Sequence, residues 1–255
     1  MRAQLGSPLL RNGDKAMTWQ ESYLKTFYYG VPGWIDGTTE FHQLCARAIR
    51  PGSSILEIGA GASNQTSAFL AELGTLRGVD IDADVKTNAS LAEAHVITGD
   101  QYPFSSHTFD VCVSNYVVEH VEHVDQHLAE IRRVLKPRGL YVFRTPNARH
   151  YTALTSRLTP YWFHTLVANR LRNLPTHAHD PFPTFYRMNS AAAITTLSNA
   201  QGFGVRHLQY IEKEPSYGMG SRFLFFPFMA YERLVNSMFF LKVFRANMFV
   251  VLELI

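Results

Sequence analysis

The chain has 255 residues, 46% of them hydrophobic, enough for one α/β domain with additions around a sizeable core. Its net charge is only +3 and its basic residues are scattered, which argues against a nucleic-acid binder. The only cysteines, Cys45 and Cys112, fit no metal spacing and no disulfide framework, so a reducing, cytoplasmic setting is expected. Residues 1–16 hold no apolar run of signal-peptide length and read as a flexible leader to a single domain over 17–255. No run of ~18 uncharged apolar residues occurs, so no spanning helix is expected.

In chain order, "TTEFHQLCARAI" (38–49) has helical spacing, with Phe41, Leu44, Cys45, Ala48 and Ile49 on one face. "RPGS" breaks it. Ser54–Ile58 reads as a buried strand and Asn64–Leu73 as a helix, separated by a turn with Gly59 and Gly61. Further strands are expected at 76–82 ("LRGVDID"), 94–100 ("AHVITGD"), 109–115 ("FDVCVSN") and 140–147 ("LYVFRTPN"), with an amphipathic helix at 128–139 stopped by Pro137 and Gly139. Alternating strands and helices predict an α/β, Rossmann-like, mostly parallel sheet with helices on both faces. Ligands of such sheets sit at the carboxyl ends of the strands. After Asn147 the rhythm is lost, and 148–188 reads as an irregular insertion or lid. A helix (190–203), a strand (204–212), a hydrophobic helical addition within 213–247 and a last strand (248–254) complete the chain.

The turn "EIGAGAS" raises the question of function. Gly59 and Gly61 allow a tight turn and close approach of a ligand, although G-x-G alone is a weak signal. Glu57 would repel a pyrophosphate but would suit an ammonium group. Asp80 ends the second strand where a carboxylate accepts hydrogen bonds from ribose hydroxyls. Asp100 ends the third, placed to accept from an adenine amino group. Each acid alone is as well explained as a solvated loop residue or helix cap; three at successive strand ends are not.

Together, "ILEIGAGAS", "GVDID", "GDQYPFSSHTFDVCVSNYVVEHV" and "IRRVLKPRGLYVFRTPN" resemble the class I S-adenosylmethionine-dependent methyltransferases of the type 11 group, over roughly 50–147. The resemblance implies a seven-stranded sheet with the last strand antiparallel, and S-adenosylmethionine as cofactor, leaving as S-adenosylhomocysteine. It implies a loop around the methionine part formed by Glu57, Gly59, Ala60, Gly61 and Ser63, where the family often has a third glycine at the position of Ser63. Asp80 would take the ribose, with Ile81 against the adenine; Asp100 would take the adenine amino group, with Gln101 beside it; Asn115 and Tyr116 would line the methionine side. The rival nicotinamide oxidoreductase wants Gly or Ala where Asn64 stands, and no Tyr-x-x-x-Lys or Gly-Lys-Ser/Thr occurs. A non-catalytic module that binds the cofactor is the other alternative.

"EHVEHVDQH" clusters His120, His123 and His127, but nothing completes a ligand set, so no metal is expected. The resemblance places His120 beside the pocket, to orient a loop or to act as a base; His123 and His127 are expected at the surface. His150 is a second base candidate, and Tyr186, Arg187 and His179 are acceptor-side candidates in the insertion. In "TFYYGVPGW" (26–34), Tyr28 or Tyr29 would reach the cofactor's carboxylate end, with aromatic packing as the alternative. The acceptor is expected to be a small molecule, with a hydroxyl oxygen of a sugar, lipid precursor or secondary metabolite preferred. The apolar stretch 223–241 has two readings: packing, including homodimerisation, which is favoured, or peripheral contact with a membrane beside Arg222, Arg233 and Lys242.

Overall fold

The computed structural model describes residues 17–98, 101–158, 182–215 and 217–255. Its centre is a seven-stranded sheet in the order β3-β2-β1-β4-β5-β7-β6. The strands are β1 (Ser53–Ile58), β2 (Gly74–Asp80), β3 (Glu93–Val96), β4 (Phe109–Asn115), β5 (Leu135–Pro146), β6 (Phe203–Ile211) and β7 (Asn247–Leu254). All neighbours pair in parallel except at β7, which runs antiparallel to both β5 and β6. The strand order reverses between β1 and β4.

Helices α1 (Trp19–Leu24), α2 (Gly37–Ala48), α3 (Gln65–Leu73), α4 (Val124–Val134), α5 (Tyr151–Leu158), α6 (Ala191–Ala200) and α7 (Arg222–Ser237) surround the sheet. Their starts follow capping chemistry. The Asp36 carboxylate accepts the Thr38 and Thr39 N–H groups at the head of α2, and Asn64 Oδ1 accepts those of Thr66 and Ser67 at the head of α3. Thr18 and Glu21 close a reciprocal capping box on α1.

The two-residue period of β1 separates two cores. Leu56 and Ile58 join Cys112, Leu128, Ile131, Tyr141 and Phe143 on the face covered by α4 and α6. Ile55 joins Phe41, Leu44, Leu70, Val113, Val142 and Phe249 on the face covered by α2 and α3. By the same alternation Glu57 falls on the α2/α3 face, with nowhere to go but inward. A third, smaller core joins Leu24 and Tyr28 to Phe225 of α7.

Several boundaries differ from expectation. β2 runs Gly74–Asp80 rather than 76–82, and β3 ends at Val96, four residues short of Asp100, which therefore does not end that strand. The fifth strand begins at Leu135, not Leu140, and α4 ends at Val134. Leu135 pairs with Phe109 and Leu140 with Val111, so Lys136–Gly139 form a bulge opposite Asp110, held by an ion pair from Lys136 Nζ to Asp110 Oδ1 at 2.8 Å. The segment expected to be irregular from Ala148 contains α5; 159–181 lie outside the described residues, as does the expected leader over 1–16. The hydrophobic addition is α7 followed by a 3₁₀ turn, Phe239–Phe244.

Gly59 sits at φ 72°, and a Cβ there would lie 2.3 Å from Val117 Cγ2. We therefore expect Gly59→Ala to lower stability in urea unfolding by about 1–3 kcal/mol, the usual cost of a strained backbone position. Adding Val117→Ala should restore the steric part and leave the backbone part.

Candidate functional site

A cavity of about 330 Å³ opens at the carboxyl ends of β1 and β4, where the strand order reverses. Thr38, Glu57, Gly59, Asn64, Gln65, Thr66 and Asn115 line it.

Its loop is held from within. The Gly59 and Ala60 N–H groups both donate to Val79 C=O, at 2.8 and 3.3 Å. The Gly61 N–H donates to Asp80 Oδ2 at 2.8 Å, and the Asp82 N–H to Asp80 Oδ1 at 2.9 Å. The loop carbonyls are gathered by two amides: Asn64 Nδ2 donates to Ala60 and Ala62, and Asn88 Nδ2 reaches Ala60 at 3.3 Å and Ser67 Oγ at 2.9 Å. Ser63, at the position of the family's third glycine, donates to Thr87 C=O and accepts from the Ala89 N–H. It pins the loop to the turn after β2, a role glycine cannot fill.

Glu57 is buried and accepts a 2.7 Å hydrogen bond from Ser67 Oγ. Burial raises its pKa to about 7, against the Ser67 bond, which favours the charged form. Asn115 Nδ2 donates to Thr66 Oγ1 at 3.3 Å, while its buried Oδ1 has no partner.

This donor and acceptor set decides between nucleotide ligands. A pyrophosphate needs outward N–H groups at the loop and at the head of the following helix. Here the loop N–H groups serve Val79 and Asp80, and the first free N–H groups of α3 serve Asn64. The cavity instead offers the Glu57 carboxylate and the orphaned Asn115 carbonyl, which suit a ligand bearing an ammonium group.

Comparison with known proteins agrees. Residues 56–143 match the family model described as a methyltransferase domain. The chain is 33% identical over 125 residues to the ubiquinone/menaquinone biosynthesis C-methyltransferase UbiE of Ralstonia pickettii, covering 43% of this chain and 49% of that protein. Residues 56–143 carry a methyltransferase domain, for which S-adenosylmethionine is the cofactor. A UbiE of Burkholderia mallei is 32% identical over 102 residues, covering 36% of this chain and 42% of its own, so the chain spans about half the length of the curated relatives it matches, or less. Among solved structures, an S-adenosylmethionine-dependent methyltransferase of Mesorhizobium loti superposes with a TM-score of 0.52 at 14% identity, covering 86% of this chain and 99% of that one. The [4+2]-cyclase SpnF gives 0.55 at 13%, covering 88% and 83%. At such identities these two show the methyltransferase fold alone.

The other residues singled out in the sequence scatter more widely. Ile81 is 60% exposed beside Asp80, Gln101 is exposed, and Asp100 and His179 lie outside the described residues. Tyr116, at φ 60°, lies under the Arg144 guanidinium at 4.4 Å and donates its hydroxyl to Asn247 Oδ1. Tyr28 is buried in the small core at α7 and donates to Glu232 Oε2 at 2.5 Å, while the Tyr29 hydroxyl turns to Glu214, so the aromatic-packing alternative describes both as placed.

His120 pairs its Nδ1 with Pro183 C=O at 2.8 Å, and the Phe185 and Tyr186 N–H groups donate to Glu119 C=O. The end of the insertion is thereby tied to the turn after β4, with Arg187 exposed beside it. His150 is buried, its Nδ1 2.6 Å from Thr152 Oγ1 and its Nε2 3.6 Å from Glu212 Oε2. Burial lowers the His150 pKa to about 4 and raises that of Glu212 to about 8. His123 is exposed, but His127, expected at the surface, turns its ring inward to the Tyr141 and Tyr102 hydroxyls, because α4 packs that flank onto β5.

Sequence reading missed Thr38, Thr66, Ser67 and Asn88. Asn64 ahead of "QTSAF" is a legible N-cap, but Thr38 reaches the cavity and Asn88 the loop from distant segments, and neither leaves a local signal. A larger hollow, about 450 Å³, lies at the opposite edge of the sheet between Arg132, Arg133, Arg138 and Leu254. Arg133 there is spent on Glu130, and Arg138 on Glu253.

Because the Glu57 pKa is about 7 in the folded chain against an ordinary 4.5, the unfolded chain loses this proton first. Stability conferred below that window is therefore lost as pH rises from about 4.5 to about 7. Glu57→Gln should leave the ligand-free chain more stable than wild type at pH above this window, by on the order of 1–3 kcal/mol, with the difference vanishing below it. Thermal unfolding against pH measures this directly.

Proposed function

We propose that the chain transfers a methyl group from S-adenosylmethionine to a small-molecule acceptor bearing a hydroxyl. The observation that carries this reading is the cavity's chemistry: a buried carboxylate and an unpartnered Asn115 carbonyl beside a loop whose N–H groups are already spent. When bound, S-adenosylmethionine supplies a methyl carbon on a sulfonium, already a strong electrophile.

The residues of the cavity and its loop fit that group. Glu57 and Asn115 Oδ1 would hold its ammonium end, Asp80 its ribose hydroxyls and Ile81 its adenine face. Asp80 keeps lone pairs for this, since each oxygen accepts one backbone N–H. The chain's further task is to align the acceptor and exclude water. His120 suits the removal of the acceptor's proton. With Nδ1–H donating to Pro183 C=O, its Nε2 carries the free lone pair, so the loop-orienting role and the base role are one arrangement.

A second reading places the methyl on carbon. It is supported by the relatives named above, which are named C-methyltransferases. A ring carbon beside an acidic hydroxyl would use the same deprotonation by His120.

Calorimetric titration with S-adenosylhomocysteine tests the cofactor. We expect binding that Asp80→Asn weakens by about 1–3 kcal/mol, and no binding of NAD; a preference for NAD would sink the reading. An ammonium group favours ionised Glu57, so below pH about 7 binding should release a proton and weaken as pH falls. Titration in buffers of different ionisation enthalpy reads that proton. With an accepted substrate, His120→Gln should lower kcat by about 10²–10⁴-fold while S-adenosylhomocysteine binding is kept. An unchanged kcat would leave His120 with the loop alone, and absence of any turnover would favour a non-catalytic binding module.

A further inference from the structure

We propose that the outer face of α7 and the 3₁₀ turn after it form a docking surface for a lipid bilayer bearing anionic headgroups. Nothing in this inference rests on methyl transfer.

The helix buries one side and leaves the other bare. Phe225, Glu232 and Val235 face inward, with Phe225 and Glu232 turned to Leu24 and Tyr28. The outward positions Phe223, Phe226, Pro227, Ala230 and Leu234 recur at helical spacing and continue into Met238, Phe239 and Phe240. Phe223 is 92% exposed, Phe239 78%, Phe240 68% and Phe226 59%. Trp19 and Phe27, also exposed, extend the patch across α1, which is joined to α7 by edge contacts from the Trp19 and Tyr23 rings to Phe225. Exposed apolar patches of this kind mark binding surfaces.

Charge chooses the occupant. Arg222 and Arg233 are exposed along the stripe, and Lys242 stands over the Phe239 ring, 3.9 Å from its centroid. The only acid between Arg222 and Ala246 is Glu232, which is buried beneath the Tyr28 hydroxyl. The outer face is therefore apolar and cationic, with no carboxylate. Two copies joined through this face would set Arg222 and Lys242 against their counterparts with no exposed carboxylate between them; of the three cations Arg233 has an acid at hand, Glu232 Oε2, 3.7 Å from its Nε. A bilayer surface answers both features: rings enter the boundary between headgroups and acyl chains, and Arg and Lys stay with anionic headgroups. Among the described residues no helix is long and apolar enough to cross a membrane, so the contact lies on the surface.

The test is flotation of the full chain with phosphatidylcholine vesicles, with and without phosphatidylglycerol, alongside light scattering of the protein alone. We expect flotation with the anionic vesicles, weaker with phosphatidylcholine alone and reduced by salt. Phe223→Ser with Phe226→Ser, and separately Phe239→Ser with Phe240→Ser, should each lower partitioning at least about tenfold. Both pairs should leave thermal unfolding and S-adenosylhomocysteine titration unchanged, since these rings support no core. No flotation, or flotation indifferent to both pairs, overturns the proposal. So does a dimer that either pair dissolves, which would make the face a contact between copies.

Discussion

Everything at the candidate site depends on where the loop between β1 and α3 sends its backbone polar groups. Three successive N–H groups turn back into the fold, two to Val79 and one to Asp80, and the carbonyls are collected by Asn64 and Asn88. A backbone satisfied in this way offers few donors to a ligand. What the cavity presents is therefore set by side chains, among them two acceptors, the Glu57 carboxylate and Asn115 Oδ1. The same glycine spacing with outward N–H groups would make a phosphate site; here it makes a site for positive charge and hydroxyls. Glu57 carries a cost for this, since burial penalises its charged form, and a cation in the cavity would relieve it.

The second organising contact is remote from the loop. Tyr28 and Glu232 lock the N-terminal helix to α7, with Asn236 donating to the other Glu232 oxygen and Arg233 covering the Tyr23 and Tyr28 rings. Burial and Glu232 together hold the Tyr28 phenol protonated far above its usual range. That lock draws the Glu232 carboxylate to the buried side of α7 and leaves its outer side apolar and cationic. A little further in, His150 and Glu212 are both held away from their charged forms by burial, and the aromatic rings of Tyr151 and Tyr231 close around the histidine.

Sequence legibility follows how local the signal is. β4 is readable to the residue because its pattern, "FDVCVSN", alternates between two buried faces and turn residues bound it. Glu57, Gly59 and Asp80 are readable because each sits at a fixed offset from a strand end. The start of β5 is not: "LKPRG" looks like a helix stop, and only the partner strand reveals that Leu135 already pairs with Phe109 across a bulge. His127 misleads because a lone histidine on a helix carries no mark of which flank will be covered. Tyr28 and Tyr29 sit in an aromatic run that fits a cofactor cover and a packing core equally well, and Glu232, more than two hundred residues away, decides what the Tyr28 hydroxyl binds. Thr38 and Asn88 stay invisible for the same reason: one reaches the cavity and the other the loop by tertiary folding alone.

The place of β7 has a consequence for how the chain is made. This strand, last of the seven in chain order, pairs on both flanks, with β5 on one side and β6 on the other. While a ribosome is still short of Asn247, β5 has an open edge and β6 has no neighbour to join. The nascent chain thus carries a five-stranded half sheet whose unpaired rim, Leu140–Pro146, is among its most apolar strands. Shielding that rim during synthesis is a task for a chaperone or for speed, and synthesis that stalls before β7 leaves a template for aggregation in place of a smaller enzyme.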